Sequence, residues 1–319
     1  MIRLRRACLW PMLLSVWLAG SATAATVQNL YEAVQPVQSS RDAAFVDALR
    51  NVVVRVSGQR DAAARLGAAL NNPRQYVQRF GFTADGTLEV GFDSVSIDRL
   101  LAEHGLPIWG RERPTVLVML SIEQCDGSTR LVTGDLPSAE SEAIARAARE
   151  RGLPIKWPTL DAQSAVGDTS SAMQTASRFG ANATLIGQGR SGAIRWTLAS
   201  ADGLEEATGG VDDGIHLAAD RFAQVFAASG SSLGSVMVDV SGIYDLTAYA
   251  TTLNYFESMT LVRSVVVERV SGDTMQFRLA VRGDARTLGR AIALDDRLVP
   301  LSLAGGEPAG ERLSFRYQP

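Results

Sequence analysis

Met275, Phe277, Leu279 and Val281 alternate with Gln276, Arg278, Ala280 and Arg282. A stretch with period two can bury only one face, so it predicts a strand whose sheet is covered on one side and wet on the other. Its neighbours supply the cover. Val236–Val240 reads as a strand, Leu246, Tyr249, Ala250, Leu253 and Phe256 form a helical face, Val265–Val270 is a second strand, and Ser271-Gly272-Asp273 is a turn. A helix near Ala285–Ala293 and a strand Leu298–Leu303 complete a β-α-β-β-α-β order, the ferredoxin-like arrangement. Pro300 then belongs on a sheet edge, where its missing N–H faces outward. Leu313, Phe315 and Tyr317 predict one more strand beyond the loop Ala304–Gly310.

The same mixture of strands and helices runs upstream, so the expected class is α+β to α/β in three small domains: 25–112, 113–230 and 231–319. In the first, Phe45, Ala48, Leu49 and Val52 give a helix running into a β-branched strand Val52–Val56. Tyr76, Phe80 and Phe82 then share a hairpin face with Leu88, Val90 and Phe92 across an Asp85-Gly86 turn, and Ile97, Leu100, Leu101 and His104 line a short helix. Leu106 to Pro114 reads as a stiff connector. The middle domain opens with the buried strand Val116–Leu120. Its next helix carries every end signal: Ser138 as cap, Glu140 and Glu142 in the first turn, Arg146, Arg149 and Arg151 near the end, and Gly152 as stop, with an alanine face of Ala139, Ala143 and Ala147. A helix near Ser171–Phe179, strands Ala183–Gly187, Ile194–Ala199 and Glu205–Val211, and a helix Ile215–Ala228 follow. Arg50–Gly58 and Arg263–Gly272 echo each other, which raises duplication of a helix–strand–strand–helix unit.

The start of the chain is an address. Arg3, Arg5 and Arg6 precede the apolar stretch Ala7–Gly20 and the small-x-small site Ala22-Thr23-Ala24. These are the parts of a cleaved secretory signal peptide, residues 1–24, too short to span a bilayer. Leu18-Ala19-Gly20-Ser21 resembles a lipoprotein box with serine in place of the cysteine that lipid attachment needs. The expectation is a periplasmic protein without a stable membrane span. Removing the leader with its three arginines takes the length from 319 to 295 and the net charge from −3 to −6. That balance offers no general attraction for nucleic acid or anionic lipid.

The leader also takes Cys8, leaving Cys125 as the only cysteine, in the polar turn Glu123–Gly127, where it is structural or a reactive thiol. With two histidines, His104 and His216, and one lysine, Lys156, the mature chain has little material for a zinc set or a histidine-based triad, and no cofactor is expected. His104 fits the last turn of a helix, and His216 a solvent-exposed flank. Gly187–Gly192 fits G-x-G-x-x-G but leads into another strand, which favours a hairpin over a dinucleotide loop. Gly230–Gly234 fits G-x-S-x-G but runs from helix to strand, the reverse of a nucleophile elbow. The remaining cluster is Trp109, Arg111 and Arg113 between Pro107 and Pro114. An exposed tryptophan beside two arginines would be a candidate interaction site; alternatively Trp109 plugs the seam between the first two domains.

Tyr31–Val37, Arg41–Gly58 ending in Val-Arg-Val-Ser-Gly, the Leu88–Phe92 strand and Leu106-Pro107-Ile108-Trp109-Gly110 to Arg113-Pro114 together resemble the secreted Gram-negative family known as domain of unknown function 2066. That family implies no activity and no site residues. Phe179–Gly187 and the strand order around it look like the amino-terminal α/β domain of periplasmic TolB and related envelope accessory proteins, which implies protein binding by analogy of fold. The function expected is a non-enzymatic envelope adaptor or accessory factor whose partner is another envelope protein. The alternative is a periplasmic hydrolase using carboxylates or a serine that the sequence does not single out.

Overall fold

The structure, a computed structural model, describes residues 25–27, 29–37, 40–158, 169–229, 233–301 and 312–318; the expected signal peptide lies outside them. After β1 (Ala25–Thr26) and β2 (Glu32–Pro36), Ser40 caps α1 (Arg41–Ser57) by accepting from the Ala43 N–H. This helix absorbs the expected strand Val52–Val56. Val52, Val53 and Val56 continue the buried stripe of Phe45, Ala48 and Leu49, so packing at helical spacing overrides β-branched preference. Gly58 stops it at φ 71°, where a Cβ would also lie 2.4 Å from the Ala223 Cβ. The echo with Arg263–Gly272 is thus not structural, because the latter is a strand and turn.

A short α2 (Ala62–Leu66) leads to β3 (Val77–Phe82) and β4 (Thr87–Phe92), and β2-β4-β3 form an antiparallel sheet under α1. Phe80 and Phe82 pair with Val90 and Leu88 as the alternation requires, yet both stay exposed on the outer strand, Phe80 touching Phe45 edge to face. Tyr76 precedes the strand in a 3-10 turn. Next comes α3 (Ser94–Glu103), capped by Asp93. The expected connector is two short strands, each tied to a remote segment: β6 (Glu112–Arg113) to β1, and β5 (Pro107–Ile108) to a strand more than a hundred residues on.

In the middle unit β7 (Val116–Glu123) is central. It pairs antiparallel with β8 (Thr129–Val132), which the sequence reading lacked, and parallel with β9 (Ile155–Lys156) and β10 (Ala183–Arg190). β11 (Ala193–Ser200) and β12 (Gly203–Gly209) extend the sheet antiparallel. α4 (Ala139–Arg151) has the expected Ser138 cap and Gly152 stop, but of the expected alanine face only Ala147 is buried, beside Ser141, Ile144, Ala148 and Arg151, while Ala143 is half-buried and Ala139 exposed. With α6 (Asp213–Phe226) it covers one face; α5 (Thr169–Arg178) covers the other, with Ala176 against Leu117 and Met119. Gly187–Gly192 turns the β10–β11 hairpin. Gly187 lies opposite Trp196, and a Cβ there would sit 2.5 Å from the indole.

β13 (Ala228–Ser229) is the partner of β5, and Gly230–Ser232 lie outside the described residues. The third unit follows as β14 (Leu233–Ser241), α7 (Leu246–Ser258), β15 (Val262–Ser271), β16 (Thr274–Arg282), α8 (Ala285–Ile292), β17 (Leu298–Pro300) and β18 (Arg312–Tyr317). The element order is that of a ferredoxin-like unit, but the sheet order is β15-β16-β14-β18-β17. β18 occupies the place beside β14, parallel to it, and displaces β17 by one position. The physical reason is Leu313 and Phe315, which alternate into the core while Pro300 stays at the edge. The units interlock: Arg282 of β16 meets Asp98 of α3 at 2.6 Å, Arg290 of α8 meets Asp202 between β11 and β12, and Leu294 enters the middle core.

Candidate interaction surface

The Trp109–Arg113 cluster divides between core and surface. Trp109 and Arg113 are both fully buried, so neither offers the exposed surface of an interaction site; Arg111 is exposed. Trp109 belongs to the middle core, and its backbone N–H donates to the Val56 carbonyl. Arg113 stacks on its ring with the guanidinium carbon 3.9 Å from the centroid. All five N–H groups of Arg113 go to backbone carbonyls: Nε to Gly110, Nη1 to Arg151 and Gly152, Nη2 to Arg55 and Trp109, at 2.8–3.1 Å. Arg55 and Arg151 sit at the ends of α1 and α4, so the cation is held by the negative ends of two helix dipoles instead of a carboxylate. Burial lowers its pKa to about 9, which leaves it charged at neutral pH.

Two further arginines complete the seam. Arg55 donates to the carbonyls of Asn29 and Glu32 at the start of β2 and of Glu150 in α4. Arg151, buried, reaches the Gly58 carbonyl and Asp220 of α6, and its Nη1 lies 3.3 Å from His216 Nδ1. Asp220 also takes an ion pair from Arg60. His216 is therefore half-buried rather than free in solvent, and burial first, then Arg151 and Arg60, pushes its pKa down. Glu112 is desolvated as well: Oε1 accepts from the Thr260 N–H, Oε2 is buried without a partner, and burial pushes its pKa up. Elsewhere, His104 closes α3, Lys156 donates to the Phe179 and Gly180 carbonyls just past α5, and Cys125 is exposed in its turn. Among the described residues no three His, Cys, Asp or Glu side chains converge as metal ligands would, and no helix is long and apolar enough to cross a membrane.

The seam opens on one side into a groove of about 900 Å³, walled by β2 and α1 on one flank and by α4 and Leu153–Ile155 on the other. β2 is the edge of its sheet, paired with β4 alone among the described residues; Arg55 already takes the Glu32 carbonyl, so the part of the edge left open to the groove begins at Val34. Val34, 64% exposed, stands on this edge; Arg146 and Arg149 stand across from it. Glu32 is fixed by Arg79, which lies over the missing side chain of Gly91. Arg55 and Gly152 line the groove and are also held to Arg113, through the Arg55 and Gly152 carbonyls, so the buried cluster sets the spacing of its walls. Sequence reasoning singled out Arg113 but missed the groove. Its trace in sequence is Val34, an apolar residue on the face of β2 opposite the buried Ala33.

No curated protein and no solved structure matches the chain. The family model described as Domain of unknown function (DUF8605) matches residues 24–110, the first unit through Gly110. That range contains the stretches Tyr31–Val37, Arg41–Gly58, Leu88–Phe92 and Leu106–Gly110, bears a different family description from domain of unknown function 2066, and stops short of the TolB-like segment. The first unit is thus similar to an uncharacterised domain family, and the match assigns it no activity.

Proposed function

We infer that the protein is a periplasmic accessory factor of the bacterial envelope, exported by residues 1–24, that works by binding another envelope protein and not by catalysis. The observation that carries the reading is the groove along β2: an open strand edge next to a largely apolar trough. Such an edge can accept an extended segment as an added strand, with main-chain hydrogen bonds giving affinity and alternate side chains entering the trough. The resemblance to the TolB amino-terminal domain agrees with that role by analogy of fold. The test is crosslinking of the secreted form in cells with identification of what is joined to it. A defined envelope protein, lost when Val34→Lys places a charge on the edge, is the expected result. Absence of any partner together with turnover of a defined substrate in a hydrolase screen would replace the adaptor by the enzyme.

A further inference from the structure

The third sheet has two very different edges. β17 is three residues long and ends in Pro300, whereas β15 runs for ten residues, pairs with β16 alone among the described residues, and is exposed along most of its length. Its sequence, Val262-Arg263-Ser264-Val265-Val266-Val267-Glu268-Arg269-Val270, reads the same in both directions about Val266 except for Ser264 against Glu268.

We propose that β15 pairs antiparallel with β15 of a second copy about a two-fold axis through Val266, joining two five-stranded sheets into one. An axis through a strand edge and perpendicular to the sheet keeps each face on its own side, so only residues on the same face can meet. The register about Val266 satisfies this. Val265 meets Val267 of the copy, and both pack on the helix-covered core. Val266, 52% exposed and opposite Arg278 in its own sheet, meets itself on the open face. Val262 meets Val270, whose cross-strand neighbours Val281 and Met275 both belong to the core side. Every valine of the strand therefore faces a valine, the favourable cross-strand pairing for β-branched residues. A register one residue away would set core-facing against open-facing positions along the whole ribbon.

The charges are mixed. Arg263 of one copy comes opposite Arg269 of the other, like against like, while Glu268 comes opposite Ser264 and one position from that Arg263, once on each side of the axis. Irregularities at 262–264 and 267–269 confine regular pairing to the central valines. A ribbon this short buries less than the about 1,200 Å² of a standard stable interface, so the dimer is weak and reversible. Two copies joined in this way would present two β2 grooves, although the pairing does not depend on what those grooves bind.

Sedimentation of the secreted, leader-free protein over a range of concentrations tests the pairing. The wild type is expected to pass reversibly from monomer to dimer. Val266→Lys and Val266→Glu, which oppose like charges across the axis, are each expected to remain monomeric, and an equimolar mixture to regain the dimer. In a Cys125→Ser background, Val266→Cys is expected to crosslink to itself with oxidised glutathione, and Val265→Cys is not, because it faces Val267. A wild type that stays monomeric throughout, a Val266→Lys protein that dimerises like wild type, or equal crosslinking at 265 and 266 would overturn the proposal. Circular dichroism of each variant separates loss of pairing from loss of fold.

Discussion

Arg113 should hold the first two units together although no carboxylate partners it. Replacing it by methionine keeps the length and leaves five carbonyls each short of a donor, those of Trp109, Gly110, Arg151 and Gly152 in buried contacts and that of Arg55 in a part-buried one. At about 1 kcal/mol per unsatisfied group this costs roughly 5 kcal/mol. Loss of the stacking on Trp109 adds about 1–2 kcal/mol. Removing a buried cation returns several kcal/mol of desolvation, here about 3. The balance is a destabilisation of about 3–4 kcal/mol, read as a fall in the urea midpoint followed by tryptophan fluorescence. Arg113→Lys should recover little, because three donors on one nitrogen cannot serve carbonyls at the ends of two helices. Arg111→Met, at an exposed neighbour, should change stability by less than about 0.5 kcal/mol. If Arg113→Met unfolded within about 0.5 kcal/mol of wild type, the role of this cation as the tie between α1 and α4 would be refuted.

Three further outcomes follow from the same seams. Burial raises the Glu112 pKa, so the folded chain holds that proton to higher pH than the unfolded chain, and stability is lost as pH rises through the folded value; Glu112→Gln should therefore raise the melting temperature more at pH 8 than near pH 4.5. His216 has the opposite sense, its pKa being lowered: the unfolded chain binds the proton more readily, so acidification below about 6.5 costs stability, and His216→Gln should flatten a melting profile between pH 7 and pH 5. Asp98→Asn leaves Arg282 buried without its carboxylate and weakens the acceptor of the Tyr31 hydroxyl, which should cost about 3–5 kcal/mol and increase hydrogen exchange in both α3 and β16.

What the sequence disclosed was local. Helix α4 carried its cap, its charges and its glycine stop in adjacent residues, and the one-faced alternation of Met275–Arg282 announced β16 before any neighbour was known. The misreadings are long-range. Val52–Val56 has β-branched chemistry, but its buried face is decided by α1's packing on a distant sheet. The ferredoxin-like order stood up as an order of elements, while the insertion of β18 beside β14 depends on pairing across more than seventy residues. At the site, Trp109 and Arg113 were visible as an unusual cluster, but their setting was not: the carbonyls that hold Arg113 come from positions 55, 109, 110, 151 and 152, and no local pattern brings these together. His216 fell off the apolar stripe of its own helix yet met Arg151 from another.

In the proposed role, a partner's extended segment docks along β2. A photocrosslinking amino acid placed at Val34, and in a separate protein at Leu204, tests it most directly, since both positions are exposed and only Val34 lines the groove. Illumination of cells exporting each form should join one defined envelope protein to the Val34 form and leave the Leu204 form without that product. The same products from both positions, or none from Val34 while the secreted protein is abundant and folded, would contradict the groove as the binding surface.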